Sequence, residues 1–186
     1  LTMETKRNYK NIARRVNGPD DDGQNLQHFM SESPWNHQDT FDQIQEEICS
    51  LPQLSGGMLT LDDSGERRWG EGSAGVKNQY LGRLGKVDLG QVGVALGYYH
   101  HPCKLWTMVD AELYLPEKCF EAEQFEILRK GHAPKDLIFE SKNQLGLKMV
   151  RWAKSNKLPF EVVGFDTWYG RDEKFRAAVN QEELLY

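Results

Sequence analysis

The sequence predicts a mixed α/β (α+β) fold: a sheet with the element order β-β-β-α-β-α, preceded by a small helical N-terminal region. Three observations lead there. Apolar runs of strand length recur at residues 58–62, 91–98, 105–115 and 161–166. Ahead of the last run, Leu145, Met149, Trp152 and Ala153 stand at i, i+4, i+7 and i+8, the apolar face of a helix over residues 141–157 that Pro159 ends. Two of the strands run into acids. Leu59-Thr60-Leu61-Asp62-Asp63 is followed by Ser64-Gly65, and Val162-Val163-Gly164-Phe165-Asp166 by Thr167-Trp168-Tyr169-Gly170.

Taken in order, residues 4–16 have helical composition and little apolar face. Asn17-Gly18-Pro19-Asp20-Asp21-Asp22-Gly23 is a loop. Leu26, Phe29 and Met30 return to helical spacing. Ser33-Pro34 reads as an N-cap with proline at the first helical position, opening a helix to about residue 49 with Phe41, Ile44 and Ile48 on one face. Residues 1–52 are therefore expected to be a helical region and residues 53–186 to hold the sheet. After the first strand, Gly70-Glu71-Gly72-Ser73-Ala74-Gly75 matches G-x-G-x-x-G. It lacks the following amphipathic helix and the β-α-β setting of a dinucleotide site, so a glycine-rich hairpin is expected instead. The first three strands then form an antiparallel meander, with His100-His101-Pro102 in a hairpin. Residues 116–130 read as a helix stopped by Gly131. The helix at 141–157 is a crossover that sets the fourth strand parallel to the first and beside it. Asp172 caps a last helix carrying Phe175, Ala178 and Val179.

A chain of 186 residues can bury one good core. Hydrophobic content of 39% and a mean hydropathy of −0.68 are those of an ordinary soluble protein. No apolar run reaches membrane-spanning length, and the N-terminus is polar and basic without a signal-peptide pattern. Cys49, Cys103 and Cys119 have no metal or disulfide spacing and are expected to be reduced thiols in a cytosolic protein. The net charge of −5 excludes a generally basic nucleic-acid protein. Basic residues are nevertheless grouped: Lys6, Arg7, Lys10, Arg14 and Arg15 near the start, and Arg67, Arg68, Lys77, Arg83 and Lys86 after the first aspartates. Such groups either hold phosphates or are solvated faces. The chain opens on Leu1 and closes on Glu182-Glu183-Leu184-Leu185-Tyr186, and is read as a fragment.

Two carboxylates at the ends of neighbouring strands repel each other unless a cation or a proton lies between them. Hard oxygen ligands suit Mg²⁺ or Mn²⁺. Two such ions roughly 3.5–4 Å apart support in-line displacement at phosphorus. At this level either Asp62 or Asp63 can be the first carboxylate, and Asp166 is the second. Trp168-Tyr169-Gly170-Arg171 either packs under the last helix or offers an aromatic ring and a cation to a nucleic acid. The histidines and cysteines are scattered and point to no further site.

A resemblance sharpens this reading. Asp62-Asp63-Ser64-Gly65, Gly75-Val76-Lys77-Asn78-Gln79-Tyr80-Leu81-Gly82-Arg83-Leu84-Gly85-Lys86-Val87-Asp88, Gln91-Val92-Gly93-Val94, Leu113-Tyr114-Leu115-Pro116 and Asp166-Thr167-Trp168-Tyr169-Gly170 resemble bacterial insertion-sequence transposases of the DDE superfamily. Gln27-His28-Phe29 and Ser33-Pro34-Trp35 fit the same family. The likeness implies a ribonuclease-H-like catalytic domain over residues 53–186. It also implies metal-dependent cleavage of phosphodiester bonds at transposon ends, followed by strand transfer to target DNA. Asp63, directly followed by Ser as in the family, and Asp166 are the implied catalytic residues. Both would hold metal, with Asp62 a further candidate. Lys77, Arg83, Lys86, Tyr169 and Arg171 are candidates for DNA contact. The implied cofactor is Mg²⁺ or Mn²⁺, two ions in the complete enzyme. The implied partner is double-stranded DNA, engaged by a homodimer assembled on it, in the cytoplasm and on the nucleoid when DNA is bound. The helical N-terminal region is then either a cap on the core or a DNA-contacting head. The family's third carboxylate, a glutamate, belongs on a helix well beyond Asp166. Glu182 and Glu183 are too near to serve, so the chain is expected to be truncated before it and inactive alone. Two alternatives remain open at this level: an inactive DNA-binding remnant, and a non-transposing nuclease of the same fold.

Overall fold

The computed structural model describes residues 6, 8–34, 36–70, 72–121, 125–126, 128 and 136–186. The chain divides into two compact units, Leu1–Asp39 and Thr40–Tyr186. In the first, α1 (Tyr9–Asn17) is capped by Asn8, whose side chain accepts from the Asn11 N–H at 2.8 Å. α2 (Gln24–Glu32) begins after Gly23, which has φ +79° and lies so close to α1 that a Cβ would fall 2.5 Å from the Lys10 backbone nitrogen. No side chain is tolerated there. The expected N-cap at Ser33 is corrected. Ser33 closes α2, its N–H donating to the Phe29 carbonyl at 3.4 Å, with ψ at 136°. The residue before a proline is held in the extended region, so Pro34 ends α2 instead of opening the next helix. α3 (His37–Ser50) starts after Asn36, whose side chain accepts from the Gln38 N–H at 3.0 Å.

The second unit is built on one mixed sheet. Its strands are β1 (Gly57–Arg67), β2 (Lys77–Leu81), β3 (Lys86–His100), β4 (Leu105–Tyr114) and β5 (Phe160–Phe165). β3 pairs antiparallel with β1 along one edge, and with β2 and then β4 along the other. β1 also pairs parallel with β5, in the register Leu59↔Val163 and Leu61↔Phe165. The expected antiparallel β1–β3–β4 arrangement and the parallel fourth partner are therefore present, with β2 added.

β2 carries no strong alternation and lies inside the glycine-rich stretch, which hid it. β1 also runs five residues past its expected end. Asp63-Ser64-Gly65 has turn chemistry, but Asp63↔Val94, Ser64↔Gly93 and Gly65↔Val92 are paired in the ladder. Cross-strand pairing overrides the local preference. The G-x-G-x-x-G stretch connects two strands, with Gly70 and Gly75 at positive φ, and no helix follows it. Of the helix expected over 116–130, a short turn at Glu117–Phe120 is present and most of the remainder lies outside the described residues.

One face of the sheet carries Leu59 and Leu61 from β1, Val94, Leu96 and Tyr98 from β3, and Val163 from β5, all buried. α4 (Lys142–Ser155) covers this face with Leu145, Met149, Val150 and Ala153. Burying such side chains stabilises the fold by roughly 1.5–3 kcal/mol each for the larger ones. Gly146 lets the helix approach: a Cβ there would lie 2.5 Å from a Leu61 methyl. The single helical turn α5 (Thr167–Gly170) and then α6 (Glu173–Gln181) follow β5, burying Tyr169, Phe175 and Val179. Leu185 forms a parallel bridge to Val162 on the free edge of β5.

Candidate active site

The site lies where β5 ends. Since Leu61 pairs with Phe165, the next residues, Asp62 and Asp166, stand level on adjacent parallel strands, and Asp63 is one step further. Ligands in such sheets bind beyond the carboxyl ends of parallel strands. Alternation along β1 separates the two acids. Asp63 shares the helix-covered face with Leu59 and Leu61, whereas Asp62 turns to the opposite face and is exposed. The Asp62 side chain accepts from the Asp63 N–H at 2.8 Å. Asp166 is exposed, and its Oδ1 caps α5 by accepting from the N–H groups of Trp168 at 2.9 Å and Tyr169 at 3.2 Å.

Lys142, the first residue of α4, donates its ammonium to Asp63 Oδ2. It also sits 5.4 Å from the ring centroids of both Tyr114 and Trp168. Sequence reasoning did not single it out. A signal existed, because a lysine in a helix's first turn opposes the macrodipole and needs a tertiary reason. Ser141 holds that turn in place with a capping box closed by Gln144. The neighbouring Asn143 donates to Asp172 Oδ2 at 2.5 Å, and this bond, followed by that from the Phe175 N–H, holds the Asp172 carboxyl below its usual range.

Tyr169 adjoins the aspartates. Its ring is buried in the core cluster, so it is not placed to stack on a base. Trp168 is the half-exposed ring beside it, at 5.1 Å between centroids. The Tyr169 hydroxyl is buried and has no hydrogen-bond partner among the described residues. Burial, and then the charges of Asp63, Asp166 and Asp62, push its pKa well above the ordinary phenol value. One hydroxyl therefore lies in the field of all three aspartates. Arg171, at the end of α5, is exposed.

The other basic candidates lie in the β2–β3 hairpin. β3 and its partner β1 extend from Asp63↔Val94 to Arg67↔Gly90, four residues or roughly 13 Å beyond the acid. The hairpin thus projects from the end of the sheet that carries the aspartates. Lys77 opens β2, Arg83 pairs with Glu66 at 2.5 Å, and Lys86 pairs with Asp88 at 3.0 Å. Arg67 reaches Asp88 at 3.5 Å and lies 4.2 Å over the exposed ring of Trp69.

Among the described residues, no group of three or more His, Cys, Asp or Glu side chains is spaced to hold an ion. The opposed faces of Asp62 and Asp63 account for that within β1. Glu182 is engaged elsewhere, by Arg151 at 2.7 Å and Lys154 at 3.4 Å. What the site offers is a set of hard carboxylate oxygens at the end of β5, beside a buried hydroxyl that has no partner among the described residues. That chemistry fits a divalent cation held partly by these residues and partly by other ligands.

A mixed sheet of this order, with aspartates on its two parallel strands level with the end of β5, is that of a ribonuclease-H-like domain. The chain matches the DDE superfamily endonucleases over residues 1–186 and belongs to that family. It is similar to the probable transposase for insertion sequence element IS701 of Microchaete diplosiphon, with 27% identity over 167 residues. That alignment covers 89% of this chain and 40% of the relative, so the chain spans less than half of that protein's length. No solved structure matches it. No helix among the described residues is long and apolar enough to cross a membrane.

Proposed function

We propose that the chain supplies the first two carboxylates, Asp63 and Asp166, of a transposase that cuts double-stranded DNA at the ends of an insertion sequence and joins them to target DNA. The observation behind this is the parallel register of β1 and β5, which brings residues 103 positions apart to the same end of the sheet. Asp63 faces the helix-covered side, where Lys142 already marks a position that accepts positive charge. Asp63 is therefore the first ligand, and Asp62, level with Asp166 in the register, is a further metal candidate. Asp166 is oriented by its two backbone hydrogen bonds, which fix one oxygen and leave Oδ2 for an ion.

Bound Mg²⁺ or Mn²⁺, two ions in the complete enzyme, would activate the attacking oxygen and stabilise the leaving one. The protein's own work is to orient. Tyr169 packs beside the aspartates and excludes water there. Lys77, Arg83, Lys86 and Arg171 offer charge to the DNA backbone along the projecting hairpin and the end of α5, and Trp168 offers an exposed ring. Arg83 and Lys86 exchange their acidic partners Glu66 and Asp88 for phosphate when DNA binds. The helical unit of residues 1–39 adds DNA contacts, the rest of the region expected over 1–52 being packed on the sheet, and the enzyme acts as a homodimer on its ends.

The third carboxylate comes from outside the residues described here. In the full reading frame that encodes this chain, Mg²⁺-dependent cleavage of DNA carrying the element's ends is the expected activity. Asp63→Asn and Asp166→Asn are each expected to lower it by more than about 100-fold, the upper end of the loss seen when only an outer-shell partner of a metal is removed. Cleavage that persists in both variants would overturn the assignment.

A further inference from the structure

The geometry points to Lys142 as a resident counter-ion: its ammonium occupies the cation position on Asp63 until a divalent metal displaces it onto a phosphate of the DNA. This rests on the metal-binding role proposed above for Asp63. Lys142 opens α4, where the helix macrodipole disfavours a cation. Its side chain is nevertheless only 14% exposed and directed at Asp63 Oδ2. Among the described residues, its recorded contacts are the Asp63 carboxylate and the rings of Tyr114 and Trp168, each ring 5.4 Å away. An ammonium has three donors, and this setting combines a hydrogen-bonding carboxylate with the negative faces of two rings.

A divalent ion on Asp63 needs the same carboxylate. It would also bring two further positive charges against the ammonium, and like charges at that range exclude each other. Lys142 can leave because its charge rides on a flexible four-carbon stem. Trp168, at the mouth of the site, is half-exposed, so the path outward is short. A phosphate held at the metal is the acceptor that replaces Asp63. Metal loading and DNA binding then favour each other through one lysine, as linkage requires of two ligands that release the same contact.

The test is Mn²⁺ binding to the purified product of the full reading frame, read by electron paramagnetic resonance of the free ion. Lys142→Met is expected to bind Mn²⁺ about tenfold more tightly than wild type, the effect of removing a like charge worth about 1.4 kcal/mol. Lys142→Arg keeps the charge and should stay near wild type. Lys148→Met removes a lysine on the same helix that serves Glu112 at 2.8 Å and Glu140 at 3.1 Å, and should change nothing. Asp63→Asn should abolish binding in either background.

A second readout needs no substitution. Amine acetylation of wild type, mapped by mass spectrometry, should show Lys142 protected without metal and reactive with it, while Lys148 is indifferent. Equal Mn²⁺ affinity in wild type and Lys142→Met, or Lys142 reactivity that ignores metal, overturns the counter-ion role and leaves the metal role of Asp63 standing. Absence of Mn²⁺ binding in every variant overturns both.

Discussion

The phenol oxygen of Tyr169 is buried without a partner among the described residues, and the charges of Asp63, Asp166 and Asp62 bear on it. A buried donor left unpaired costs roughly 1–3 kcal/mol. Tyr169→Phe should therefore leave the metal-free protein as stable as wild type or more so. Thermal unfolding checks this, and a clear fall in Tm would show that the hydroxyl has a partner after all. Tyr169→Ala is a different experiment, because it removes the ring that meets Trp168 and Phe175. It should cost about 3–5 kcal/mol. The packing beside the aspartates is thus held by the ring, with no contribution from the hydroxyl among the described residues. Asp62 and Asp63 make a similar point: adjacent in sequence, they differ in face, and only Asp63 meets Lys142.

Among the elements, α4 sets the geometry of the site. Its capping box anchors the turn from which Lys142 reaches β1 and Asn143 reaches the N-cap of α6. Ser141→Ala should lower unfolding stability by about 1 kcal/mol in urea titration. It should also loosen both contacts, visible as faster amide exchange at the start of the helix. At the other end of β1, Gly57 lies under the ring of Tyr98, and a Cβ there would come within 2.2 Å of the phenol carbon and oxygen. That phenol donates to the carbonyl of Leu54 and lies 3.2 Å from that of Pro159, tying the entries of β1 and β5 together. Gly57→Ala should destabilise by about 1–3 kcal/mol through overpacking. Denaturant unfolding measures it, and a neutral result would mean that Tyr98 can move aside.

At the scale of the whole second unit, Glu182 joins the segment after α6 to α4. The hydrogen bond from Arg151, reinforced by its charge and by Lys154, holds the Glu182 carboxyl below its ordinary value of 4.5. A depressed folded pKa contributes stability above the unfolded value and loses it as pH falls through the folded one. Glu182→Gln should thus unfold at lower temperature than wild type near pH 7. The gap should close as the pH drops from 4.5 downward. A gap that persists at pH 2 would remove the ion pair as its cause. Much of this architecture was legible in the amino-acid sequence. The apolar spacing of α4, the strand runs of β1 and β5 and the acid that follows β5 all came from local patterning, because one buried face imposes a period on each element. β2 escaped, since an edge strand among glycines has little face to bury. The turn expected at Asp63-Ser64-Gly65 was lost to pairing with β3, and Ser33 was claimed by the helix before it. Tertiary structure alone decided that Asp63 faces α4, that Tyr169 is buried and Trp168 exposed, and that Lys142 sits on Asp63. Those outcomes depend on contacts between residues far apart in the chain, which no local period encodes.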